Sequence, residues 1–234
     1  SSLAAFALEN GSLPAIDETS TATVVVNVAD KSPNDRIITL SVDPESTALT
    51  SEYEIISSSL VIPANQYSGT ISIKSNIGVL QDGVTKKLIL NLDSVGEAYV
   101  SPKQYTLSIF KFCAFSRDEF LGDWIADEVG YQPYPSTFTA GTAANEILMS
   151  GIWDVDPNSQ TRVFFDDTNP SSFVLGFPPY LENLLVPSYG TYGMLYIDRG
   201  VGSFSACDQT ITMTFQCRVS AGFFSPTTIN FYRP

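Results

Sequence analysis

The sequence predicts an all-β chain of two domains. An N-terminal antiparallel β-sandwich occupies residues 1–112, and a C-terminal antiparallel β-barrel occupies residues 113–234. Three observations carry this reading. Short runs alternate apolar and polar residues with a period of two, as half-buried strands do. Pro, Gly, Asn and Asp punctuate those runs at close intervals. No stretch sustains the apolar period of a helix.

In the first domain, Thr21–Val28 (TATVVVNV) places Ala22, Val24, Val26 and Val28 on one face. Strands are predicted next at residues 37–42, 59–62 and 68–74, the last with Ile71 and Ile73 opposite Thr70, Ser72 and Lys74. Residues 86–92 turn Leu88, Leu90 and Leu92 inward, and residues 105–109 do the same with Tyr105, Leu107 and Ile109. The breaks are Pro33-Asn34-Asp35, Asp43-Pro44, Pro63-Ala64-Asn65, Asp82-Gly83 and Ser101-Pro102. Six or seven strands at this spacing fit a sandwich of about 100 residues.

The character of the chain changes across residues 112–117. Of the 15 Phe and 11 Tyr, only Phe6, Phe110, Phe112, Tyr53, Tyr67, Tyr99 and Tyr105 precede residue 113, and both Trp follow it. A second core is built there from larger side chains. Strands are predicted at residues 123–129, 146–153, 161–165, 172–175 and 192–197, then at Thr210–Val219 and Thr227–Tyr232. Loops rich in Pro, Gly and Tyr join them, as in a closed or nearly closed antiparallel barrel.

Composition narrows the function. The 44% hydrophobic and 16% charged residues are those of a globular chain. A net charge of −13 opposes nucleic acid and anionic lipid surfaces, both of which need clustered cations. No run approaches the roughly 20 apolar residues of a membrane helix. The absence of histidine removes Ser-His-Asp and Cys-His catalysis and His-containing zinc sites. Paired carboxylates remain as a catalytic route. Their candidates are Asp118-Glu119, Asp123, Asp127-Glu128 and Asp166-Asp167, but neighbours on a strand face opposite sides, so these read as solvated surface acids and no enzyme is expected. The chain begins at Ser1 without initiator Met or signal peptide, as a trimmed exported protein or an internal fragment would.

Three cysteines allow one internal disulfide. Cys217 shares the core face of its strand with Ile211, Met213, Phe215 and Val219, where a free thiol acts as a small apolar residue. Cys113 at the junction and Cys207 in a turn are left to pair. Three reduced cysteines in a cytosolic protein are the alternative.

Several motifs carry family likenesses. Glu52-Tyr53 in a loop, then LVIPANQYSGTISI from Leu60 to Ile73, then Thr106-Leu-Ser-Ile109, resemble the Calx-beta sandwich family (with its immunoglobulin-like architecture). Calcium binding in that family would fall here to Glu18, Glu52, Asp82 and Asp93. This chain has Glu52-Tyr53 where Asp-Tyr is usual, and it lacks the acidic run near residues 76–82. Too few oxygens remain for the six to eight that calcium takes, so neither a metal nor a cofactor is expected. Asp154-Val-Asp156-Pro-Asn158 opens like a calcium loop, but Ser159 and Phe165 stand where Gly and Glu are required, so it reads as a hairpin turn.

Phe120-Leu-Gly122-Asp-Trp124 resembles the first strand of lipocalin-like barrels, in which the Trp plugs the barrel floor. Together with Cys113 and the run from Ser205 to Phe215, it is similar to outer-membrane lipoproteins of Gram-negative gut anaerobes, which set a Calx-beta-like sandwich before a lipocalin-like barrel. That resemblance implies export to the cell surface and, in the full-length form, a lipid anchor upstream of Ser1. The functional candidates are the aromatic loops with Tyr131, Tyr134, Phe177, Tyr180, Tyr189 and Tyr192. Rings held beside Pro and Gly can stack on a glycan or another small ligand, or dock another surface protein. Alternatively these rings roof the barrel. The expected function is non-enzymatic binding, with the sandwich as spacer; a purely structural or partner-docking module and a carboxylate glycan hydrolase are the alternatives.

Overall fold

The computed structural model describes residues 2–234, and the chain divides into two compact units, one ending at Phe112 and the other spanning Cys113–Pro234. The first holds β1 (Leu3–Phe6), β2 (Asn10–Ala15), β3 (Thr21–Val28), β4 (Arg36–Val42), β5 (Tyr53–Ile55), β6 (Val61–Ile62), β7 (Ser68–Ser75), β8 (Lys86–Val95), β9 (Tyr99–Val100) and β10 (Tyr105–Lys111). They form two sheets, in the orders β5-β7-β3-β1-β9 and β2-β10-β8-β4-β6. Val24, Val26, Ile71 and Ile73 from the first sheet share one buried core with Leu88, Leu90, Leu107 and Ile109 from the second.

The sandwich is mixed rather than wholly antiparallel. β1 runs parallel to β9, and β2 runs parallel to β10. Across residues 7–9 the chain steps from the first sheet to the second. The outer position of β2 also explains how Pro14 fits a strand, since an edge has no ladder on one side. The predicted strand at residues 59–62 shrinks to β6, because Ser59 ends a 3₁₀ turn. There its hydroxyl donates to Ile56 O (2.6 Å) and accepts from Ser72 N–H (2.9 Å).

The second unit holds β11 (Gly122–Glu128), β12 (Tyr134–Ala140), β13 (Glu146–Ser150), β14 (Gln160–Asp166), β15 (Val174–Gly176), β16 (Leu184–Val186), β17 (Leu195–Ser205), β18 (Thr210–Val219), β19 (Gly222–Phe223) and β20 (Thr227–Tyr232). β11, β12, β13, β14, β15, β17, β18 and β20 pair antiparallel in chain order, and β20 returns to β11. This is a closed eight-stranded up-and-down barrel. The short β16 and β19 flank it on β17 and β18.

Three strand boundaries depart from the sequence reading. β12 occupies part of the aromatic loop predicted around Tyr131 and Tyr134; Pro135 is tolerated in it because it precedes the ladder to β13, which starts at Phe138. The strand predicted to reach residue 153 stops at Ser150, where Gly151 turns left-handed (φ 66°). β17 starts later than residue 192 and runs on to Ser205 through a bulge between Asp198 and Val201. Gly200 makes this passage possible, since any side chain there would strike the ring of Phe177.

One end of the barrel is plugged. Trp124 is buried between Phe120 (5.7 Å, 12°) and Phe138 (4.9 Å, 19°), and its indole N–H donates to Phe120 O at 2.8 Å. The Arg233 guanidinium lies 4.2 Å above the Trp124 ring and donates to the carbonyls of Glu119, Leu121 and Asp123. A cation over an indole adds about 1 kcal/mol or more when shielded from water. Cys113 and Cys207 form a disulfide, and Cys217 is free and buried in the core, its thiol held well above the usual range by burial and then by the charge of Glu128.

The disulfide spans 94 residues of sequence and should act chiefly by restricting the unfolded barrel. The double variant Cys113→Ser/Cys207→Ser is expected to lose about 4 kcal/mol of barrel stability. Both tryptophans lie in the barrel, so their fluorescence in a denaturant titration reports this transition specifically.

Candidate ligand cleft at the barrel mouth

Strand alternation builds the site. Trp124, Ala126 and Glu128 lie on one face of β11, so the strand that plugs the floor with Trp124 also turns Glu128 inward at the opposite end. Glu128 is only 5% exposed. Beside it stands Tyr134, the first residue of β12, whose hydroxyl donates to Glu128 Oε2 (3.5 Å) and accepts from the Trp153 backbone N–H (2.9 Å). Tyr134 therefore ties the inward carboxyl to the loop between β13 and β14.

That loop is strained. Gly151, Trp153 and Asp154 all have positive φ (66°, 63° and 47°). A left-handed backbone is ordinary for Gly and tolerable for Asp, but uncommon for a residue as bulky as Trp, and it points to a constraint worth holding. The result is a Trp153 ring packed among Tyr189 (5.8 Å) and Phe224 (5.3 Å) over the open end of the barrel. Below and beside these rings lies a cleft of about 350 Å³ lined by Glu128, Tyr131, Gln132, Tyr134, Trp153, Asp154 and Tyr189.

The electrostatics are acidic and partly desolvated. Burial raises the Glu128 carboxyl above its ordinary value of 4.5; the Tyr134 hydroxyl draws it back somewhat, and the Asp154 charge adds to the rise. Burial, and then the Glu128 charge, hold the Tyr134 hydroxyl far above the ordinary phenol range. The cleft thus offers hydrogen-bond acceptors, an amide and flat ring faces, with two carboxyl groups and no cation among its lining residues.

The six predicted aromatic residues separate. Tyr131 (71% exposed), Tyr134 and Tyr189 line this cleft, whereas Tyr180 and Tyr192 line a second one. Phe177 belongs to neither, since it packs on the barrel core against Gly200. Tyr134 is a buried strand residue, not a loop residue, which corrects its sequence-based placement. Asp127 and Glu128 face opposite sides as alternation requires, and of the two it is Glu128 that lines the cleft. Trp153 and Asp154 were missed because residue 153 read as a strand end and Asp154 as a turn former.

The calcium candidates do not converge. Glu52 is buried against its own loop, accepting the Leu49 N–H (2.8 Å) with Lys86 at 3.8 Å, and Asp93 accepts from Ser41 (2.9 Å). Glu18 lines a shallow cleft with Tyr53, Glu54 and Lys74. Asp82 lies in the turn before β8. No group of three or more His, Cys, Asp or Glu able to hold a metal occurs among the described residues. No helix among them is long and apolar enough to cross a membrane.

Two outcomes follow from this geometry. Tyr134→Ala is expected to cost about 3 kcal/mol, because it empties a core position and frees the Trp153 N–H, while Tyr131→Ala stays within about 0.5 kcal/mol of the parent in thermal or denaturant unfolding. Glu128 titrates higher folded than unfolded, so its contribution is fully favourable below about 4.5 and is lost as pH rises through the folded value. The melting temperature of Glu128→Gln should therefore gain on that of the parent between pH 4 and pH 7. A gap that stays constant with pH would contradict the assignment.

No protein-family model matches the sequence, and no curated protein matches it. Among solved structures, the chain is similar to a multidomain protein including DUF1735 from Bacteroides ovatus, with a TM-score of 0.41, 12% identity, and 98% of this chain and 92% of that one covered. It is also similar to an auxiliary nutrient binding protein from Bacteroides thetaiotaomicron (TM-score 0.39, 12% identity, 95% and 88% covered). CBD12 from CALX1.2 gives 0.38 at 12% identity, with 81% and 84% covered. These likenesses are loose.

Proposed function

We propose that this chain is an exported, non-enzymatic binding protein whose barrel holds a glycan, or a small ligand of similar hydroxyl-rich chemistry, at its open mouth. The observation that carries the reading is the cleft of Tyr131, Trp153 and Tyr189 rings set beside Glu128, Asp154 and Gln132. Sugars present apolar C–H faces bordered by hydroxyl donors, and this cleft presents rings bordered by acceptors. The interior itself is filled by Phe120, Trp124, Phe138, Phe165, Phe215 and Phe231, which favours a ligand at the mouth over one inside the barrel. The disulfide supports folding in an oxidising compartment. A surface location, with the sandwich as spacer and a lipid anchor on the full-length form, belongs to the same reading.

A second reading, glycan hydrolysis, is favoured by one observation: a buried carboxyl with a raised titration shares the cleft with the exposed carboxylate of Asp154. Calorimetry against a panel of soluble polysaccharides and oligosaccharides, with a reducing-end assay alongside, separates the two. The expected result is a selective hit without turnover, weakened about tenfold by Tyr131→Ala (about 1.4 kcal/mol) at unchanged melting temperature. Turnover abolished by Glu128→Gln would transfer the assignment to a hydrolase. A blank panel would remove the glycan and leave a protein-docking or structural role.

A further inference from the structure

A second cleft, of about 330 Å³, meets the first at a ridge formed by Tyr189 and Tyr192. Tyr189 lines the first cleft and Tyr192 the second, and their rings stand 6.3 Å apart and nearly parallel at 24°. The turn between them is tight. The Tyr189 N–H donates to Gly193 O (2.7 Å), the Tyr192 N–H donates to Tyr189 O (3.0 Å), and Gly193 takes a positive φ of 74°. Phe224 braces both rings edge-on, at 5.9 Å and 5.6 Å. The ridge is thus a fixed aromatic pair with a ring directed to each side.

The two sides differ chemically. The first bears the Glu128 and Asp154 carboxyl groups. In the second, the Arg218 guanidinium lies 3.8 Å over the Tyr180 ring and its charge is matched by Asp198 at 3.0 Å. Leu181 and Met194 stand exposed at its margin. Neither side offers an unmatched cation to an anionic ligand, and the first repels one.

We propose that the two clefts are subsites of one groove, and that the ligand is an uncharged oligosaccharide long enough to cross the Tyr189–Tyr192 ridge, without uronic acid or sulfate on the units beside Glu128 and Asp154. This rests on the glycan reading of the first cleft and adds chain length and charge to it. Engagement of a second subsite by an already bound chain is intramolecular, so affinity climbs with length until the ridge is crossed and then levels off.

The test is calorimetry of the intact protein with cello-, xylo-, manno- and malto-oligosaccharides of one to six units, with oligogalacturonides as the charged comparison. The expected result is one ladder whose affinity rises at least about tenfold between its short and long members, with oligogalacturonides weaker throughout. Tyr131→Ala and Tyr192→Ala, both of exposed residues, should each flatten that rise while leaving the tryptophan-monitored melt unchanged. Equal affinity for monosaccharide and hexasaccharide of a binding ladder, or a rise untouched by both variants, would overturn the single groove while leaving the glycan reading intact. Tighter binding of oligogalacturonides would overturn the charge assignment. If no ladder binds at any length, the glycan reading fails and this inference fails with it.

Discussion

The barrel depends on the antiparallel return of β20 onto β11, which pairs Ile125 with Tyr232 and Glu128 with Ile229. Closure removes both sheet edges and commits every second residue of eight strands to a single interior. Because the period is two, Trp124 and Glu128 cannot be separated onto different faces. Plugging the floor with the one obliges the strand to present the other at the mouth. An acidic residue thus enters a mainly aromatic and aliphatic interior as a consequence of register.

The polar residue is accommodated by its neighbours rather than neutralised by a cation. Tyr134 gives Glu128 one hydrogen bond and receives one from Trp153, so the phenol joins the interior to the roof. A different solution appears at Glu146, also buried. Burial alone would raise its carboxyl, but Arg162 at 2.6 Å and the N–H groups of Ala143 and Thr142 outweigh this and hold it below the ordinary range. The contrast separates a structural acid from a candidate functional one. Glu146 has its lone pairs taken up by fixed donors, whereas Glu128 keeps capacity facing a cleft. The left-handed residues Gly151, Trp153 and Asp154 border the same cleft.

Much of this was legible in the sequence because strand patterning is local. The inward faces of Thr21–Val28, Thr210–Val219 and Thr227–Tyr232 could be read from alternation within a few residues. Cys217 could be assigned to the core for the same reason, which left Cys113 and Cys207 to pair, as they do. Trp124 at the head of β11 marked the floor. Local rules failed where a residue's neighbours are remote in sequence. The aromatic loop expected around Tyr131 and Tyr134 is in part β12, where the late start of the β13 ladder makes Pro135 harmless. The strand expected to end at residue 197 runs on through Gly200 and Gly202, which Phe177, Leu175 and Thr212 crowd across the sheet.

Alternation, turn chemistry and composition therefore determined the all-β class, most strands, the change of core near residue 112 and the exclusion of histidine-dependent chemistry. Only the tertiary structure decided which rings meet. It buried Tyr134, set Phe177 against the barrel wall, and divided Tyr131 and Tyr189 from Tyr180 and Tyr192 along a ridge. It also carried Glu128 from an unremarkable acidic pair to the edge of a cleft. The physical reason is that a strand's face is fixed by its own backbone, whereas a cleft is fixed by closure and by left-handed turns that bring distant segments together.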